Sequence, residues 1–195
     1  MRTYNFGFTL IELLVVISII GVLAAVALVS LNNARRNAQA AKIAADFRGI
    51  QHAWALWQSD TQSGYLNEDT YGNINSSATC HDEPVLSDTD LFADVSGVTG
   101  WNGPYMSGIP ADASGGQYSF DSDLDVFDPV TNKWSGVNIQ VQWCDSNEGA
   151  VYLQLAPLVD KIYDSGDGAD IGVFRWDTGA AQGGLGILLA PSANQ

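Results

Sequence analysis

Residues 8–34 read FTLIELLVVISIIGVLAAVALVSLNNA, and Glu12 is the one charged side chain among them. As a helix this run rises about 40 Å, more than the roughly 30 Å hydrocarbon core of a bilayer. It is therefore a candidate membrane span. Arg2 precedes it, and Arg35, Arg36, Lys42 and Arg48 follow it. By the positive-inside rule alone, the C-terminal flank should stay in the cytoplasm. A cleaved secretory signal is the obvious competitor, because a basic start and an apolar run are its general form. Three features oppose it: the run is too long, no small-x-small site closes it, and an acid sits near its start. An ionisable group inside a membrane segment is costly and signals a function with a partner to be named.

Gly7-Phe8-Thr9-Leu10-Ile11-Glu12-Leu13-Leu14-Val15-Val16 resembles the processing motif of type IV prepilins and type II secretion pseudopilins. The resemblance implies cleavage after Gly7 by a membrane prepilin peptidase and methylation of the new amine on Phe8. It implies that Glu12 serves assembly, by neutralising the N-terminal amine of a neighbouring subunit. It also implies a leader in the cytoplasm and a head outside, so the basic flank has to be translocated. The chain would then be a single-pass protein of the bacterial cytoplasmic membrane, later a cell-surface or periplasmic filament built by pilus or type II secretion machinery. The chemistry agrees. Cleavage at Gly7 puts a cationic amine four residues, about one turn, from Glu12, and two charges that are costly alone in low dielectric can pair between subunits and set their register. Gly21 matches a glycine around which pilin helices often loosen, and Val29 stands where a proline is usual.

Beyond Ser30 the pattern turns amphipathic. Ile43, Phe47, Ile50, Trp54 and Trp57 recur at spacings of 4, 3, 4 and 3, which puts one apolar stripe on a continuing helix. Such a stripe needs a sheet or helix to cover it, and Trp54 and Trp57 read as core. Gly49 is a weak point in that helix. From 59 to 100 the chain is rich in Asp, Ser, Asn, Gly and Thr and reads as a long connecting loop. Residues 100–120, GWNGPYMSGIPADASGGQYSF, are similar to the region of major pseudopilins where a Trp-x-Gly-Pro-Tyr element leads into the first strand. Strands are expected at 117–121, 137–144, 150–155 and 171–176, with 145–149 as a hairpin turn and 183–190 as a final edge strand.

The chain holds 22 acidic and 8 basic residues, a net charge of −14. From Ala53 onward the only bases are Lys133, Lys161 and Arg175. So acidic a head repels phosphate backbones, and direct nucleic-acid binding is not expected. The glycine-rich run Asp164-Ser165-Gly166-Asp167-Gly168-Ala169-Asp170 could fold carboxylates around Ca²⁺, with Asp164, Asp167 and Asp170 as ligands. C-terminal loops of some major pseudopilins bind calcium, and turn chemistry alone also explains the composition. Cys80 and Cys144 form an even pair in a head expected outside the cytoplasm, which reads as a disulfide worth roughly 4 kcal/mol. No nucleophile elbow, phosphate loop or zinc spacing accompanies the two histidines, His52 and His81. No enzyme is expected.

The expected product is an α+β, pilin-like fold, a long N-terminal helix packed on a small antiparallel sheet. It divides into a leader (1–7), a helix (8–58, with 8–34 as membrane and filament segment and 35–58 amphipathic) and a head (59–195). The expected function is structural: subunits polymerise through their apolar helices into a homo-oligomeric filament. The alternatives are a major pseudopilin of a type II secretion system and a pilin-anchored adhesive module. Trp101, Trp134, Trp143 and Trp176 suggest the last, though core packing is their more ordinary role.

Overall fold

The computed structural model describes residues 9–63, 86, 89–108, 118–121, 136–143, 145–179 and 183–191. Two compact units result, Met1–Ala38 and Gln39–Gln195.

The described part of the first unit is helical from Leu10 and belongs to α1, which is continuous over Leu10–Thr61. α1 passes through Gly21 and Gly49 without interruption, and a Cβ at either position would meet nothing within 4 Å. Those glycines are therefore not demanded by close packing within this chain.

The second unit has a four-stranded, fully antiparallel sheet beside two helical segments. Its elements are the rest of α1, then β1 (Tyr118–Asp121), β2 (Gly136–Trp143), α2 (Ser146–Tyr163), β3 (Phe174–Trp176) and β4 (Gly183–Pro191). The strand order is β1-β2-β4-β3. Strand alternation puts successive side chains on opposite faces, and the register gathers the apolar ones into rows. Tyr118, Val141, Leu185 and Trp176 make one row across the sheet; Phe120, Ile139, Ile187 and Phe174 make the next. All eight are buried. Ser119, Gln140, Gly186 and Arg175 form a row on the other face.

The predicted stripe of α1 covers the apolar rows. Ile43, Phe47, Ile50, Trp54 and Trp57 are all buried, joined by Ala40, Ala44 and Ala53. Phe47 meets Tyr118 edge-on at 5.4 Å and lies 6.1 Å from Phe174, and the Tyr118 hydroxyl donates to Asp46 at 2.9 Å. Burying a side chain like Phe47 contributes about 2–3 kcal/mol. α2 uses Tyr152, Leu155, Ala156 and Val159 in the same core. Its Tyr152 stacks on Trp143 at 5.7 Å, and its Tyr163 approaches both Phe47 and Phe174. Arg48 of α1 donates to the Ile162 carbonyl near the end of α2 and lies over the Tyr163 ring.

Three sequence expectations are corrected. Residues 150–155 are helix, not strand, and 145–149 is no hairpin turn but the start of α2. Asp145 is the N-cap, accepting from Asn147 N at 2.7 Å and Glu148 N at 3.0 Å, and Glu148 completes the acid-rich first turn that a helix N-terminus favours. Pro157 sits inside this helix, where it leaves the Leu153 carbonyl without its usual donor. Thirdly, residues 183–191 are an inner strand, between β2 and β3. A Cβ on Gly186 would press on Gln140 Cα at 2.8 Å and on the Ile139 carbonyl. Glycine here permits close strand pairing and does not weaken an edge.

The Trp-x-Gly-Pro-Tyr element clamps the end of α1. Tyr105 donates its hydroxyl to Asp60 at 3.1 Å and accepts from Asn102 N. Trp101 donates its indole N–H to the Asp90 carbonyl at 2.7 Å, edge-on to Tyr105. Gly103 lies under both rings; a Cβ there would sit 2.6 Å from Trp101.

Candidate functional sites: an apolar stem and an acidic loop

Within the first unit, the stem presents apolar side chains to its surroundings on every side. Its large apolar residues from Leu10 to Leu31 are between 46% and 88% exposed, and an 18-residue window of α1 reaches a mean hydropathy of 3.0. The few polar groups in 9–31 are turned inward. Ser18 and Ser30 donate their hydroxyls to the Leu14 and Val26 carbonyls, four residues back, so neither needs a partner from outside. Thr9 and Glu12 cap the helix reciprocally. Glu12 N donates to Thr9 Oγ1, while Glu12 Oε2 accepts from Thr9 N at 2.8 Å and from Thr9 Oγ1 at 2.7 Å. This is a capping box. Both bonds fall on Oε2, and Oε1 has no partner among the described residues. Gly7 and Phe8 lie outside the described residues.

A second constellation lies in the other unit, where α2 ends. Asp164 N and Gly166 N both donate to the Asp160 carbonyl, and the chain leaves the helix through left-handed Ser165 (φ 79°) and Gly166 (φ 80°). The loop then folds back on the helix end. Gly168 N donates to Asp160 Oδ2 at 3.2 Å, and Val173 N and Phe174 N both donate to Asp164 Oδ2 at 2.9 Å. Asp160, Asp164 and Asp167 each bring a carboxylate oxygen within 4.8 Å of the others. Asp160 is only 3% exposed, and its Oδ1, like Asp164 Oδ1, finds no hydrogen-bond donor among the described residues. Burial, and then the neighbouring Asp164, push the Asp160 carboxyl up to about 6. Gly172 (φ 81°) lies against this cluster, and a Cβ on it would stand 2.5 Å from Asp167 Oδ2. Only glycine leaves that space clear.

The sequence reading named Asp164, Asp167 and Asp170. The first two converge; Asp170 is exposed and stands outside the group, and Asp160 from α2 takes the third place. Asp160 was missed because it was not recognised as helical. Its signal was its spacing of four from Asp164, one helical turn. Cys80 and Cys144 lie outside the described residues. Of the four tryptophans weighed for adhesion, Trp143 and Trp176 are core and Trp101 is committed to the clamp; Trp134 lies outside the described residues.

No curated protein and no solved structure matches the chain. Residues 2–28 match the model of the prokaryotic N-terminal methylation motif, a structural motif that spans the start of the chain and stops short of the head. With its exposed apolar helix and capped acid, the chain thus bears at residues 2–28 the hallmark of type IV pilin and pseudopilin precursors.

Proposed function

We propose that this protein is a structural subunit of a type IV pilus-like filament, cleaved after Gly7 by a prepilin peptidase and polymerised through its N-terminal helix. The observation that carries this reading is a helix with apolar residues exposed on all sides and its polar groups satisfied internally, save one oxygen of Glu12. Moving such a helix from lipid into a filament changes apolar burial little, since lipid tails are as apolar as leucine. Register must come from packing and from the polar group. Glu12 Oε1, without a partner among the described residues, would take the Phe8 amine of a neighbouring copy, and removal of either charge would leave the other buried and uncompensated. Glu12→Ala should leave processing intact and abolish filaments; normal filaments would refute the role. Long surface filaments made mainly of this chain, with Phe8 as the first residue by mass spectrometry, select the pilus over a secretion pseudopilus. The burial of Trp143 and Trp176 argues against an aromatic adhesive patch built from them.

We propose further that Asp160, Asp164 and Asp167 hold a divalent cation, of which Ca²⁺ is the best match to an all-oxygen set. Two carboxylate oxygens without donors among the described residues and a glycine that keeps space beside them support this reading. When bound, the ion would neutralise the cluster and tie the helix end to the loop. Millimolar Ca²⁺ should raise the melting temperature of the head, and Asp167→Ala should remove the rise. No shift in the unmodified protein would end the proposal.

A further inference from the structure

The bases of α1 fall into two kinds. Lys42 pairs with Asp46 at 2.6 Å, and Arg48 is committed to the Ile162 carbonyl and the Tyr163 ring. Arg35 and Arg36, directly after the apolar run, are exposed, and neither guanidinium makes an ion pair or hydrogen bond among the described residues. Their position is costly for export, because bases just beyond an apolar span favour retention of that flank in the cytoplasm. Two adjacent arginines at this point, without a partner among the described residues, are available to a group outside their own chain.

Charge is segregated in a way that names the partner. Every acidic residue except Glu12 lies in Gln39–Gln195, and of the bases only Arg2, Arg35 and Arg36 lie in Met1–Ala38. Copies of a chain with a net charge of −14 repel each other, so a filament of them needs contacts that bring opposite charges together. Guanidinium forks match carboxylates bidentately, and exposed acids are present on the head, among them Asp94, Asp145, Glu148 and Asp170.

We propose that Arg35 and Arg36 form the docking surface for the acidic head of a second copy of this chain. The inference rests on the filament reading and adds to it a second ionic contact, separate from Glu12, that joins one subunit's stem to another's head. In this arrangement Glu12 sets the register of the apolar segment, and the arginine pair fixes which neighbour's head lies beside it.

The test places a photo-cross-linking residue at position 36 in cells that assemble filaments, alongside an Arg35→Gln/Arg36→Gln variant. Adducts between position 36 and acidic head peptides of another copy, absent from unassembled precursor, are the expected result. The glutamine variant should be processed normally yet yield about tenfold less filament, which comes apart at lower salt, and lysines at both positions should restore part of the yield. Adducts to phospholipid alone, or glutamine-variant filaments of unchanged yield and salt tolerance, would overturn the proposal while leaving the filament reading intact. Absence of filaments from the unmodified chain would overturn both.

Discussion

The two parts of α1 are one helix by hydrogen bonding and two materials by chemistry. In 10–31 each large apolar side chain is exposed, whereas from Ala40 to Trp57 the apolar stripe is buried beneath strands and α2. Among the described residues the first part buries none of its large apolar side chains, and the second holds the head together. The difference teaches where each part does its work: buried apolar surface is explained by the fold, and exposed apolar surface only by a solvent or partner outside it.

The sharpest way to break this contrast is to strike each part alone. Glu12→Ala should remove filaments, a loss of about a hundredfold or more in surface filament mass, while the thermal unfolding of the head stays unchanged. Phe47→Ala should do the reverse. It should destabilise the head by about 3–5 kcal/mol, read by denaturant unfolding of the detergent-solubilised chain, with cleavage after Gly7 preserved.

The next effect concerns pH. The Asp160 carboxyl is raised in the folded head, so the folded state holds its proton more tightly than the unfolded one. Stability from this group is present below the ordinary carboxylate range and is lost as pH rises from about 4 through about 6, on the order of 2 kcal/mol without added cation. Melting curves across that window should show the decline, and Asp160→Asn should flatten it. The smallest effect expected is at the start of α2, where Asp145→Ala removes two accepted hydrogen bonds and about 1 kcal/mol.

The stem was the most readable region because a single property, unbroken apolarity around one acid, determined it. The stripe of α1 was equally legible, since five large side chains at helical spacing admit one periodicity. α2 was not. Its Asp145-Ser146-Asn147-Glu148 start carries the acid-x-x-Glu mark of a helix N-terminus, yet the same residues suit a turn, and a proline such as Pro157 is unfavourable within a helix. Tyr152, Leu155, Ala156 and Val159 outweigh that proline by filling the core together. Misreading α2 also hid Asp160, whose meeting with Asp164 depends on one helical turn. The inner position of β4 was out of reach, because Gly183, Gly184 and Gly186 signal weakness unless the close approach of β2 is known.

The clamp on the end of α1 has a mechanical consequence. If the chain polymerises as proposed, tension would reach each head through α1, and a helix lying on a sheet gives way more easily when its contacts break one at a time than when they must break together. Tyr105 holds Asp60, and the backbone of Tyr105 and Met106 is held in turn by the Leu91 carbonyl. With that end fastened, Ile43, Phe47, Ile50, Trp54 and Trp57 cannot be released one after another from the Thr61 end of the helix.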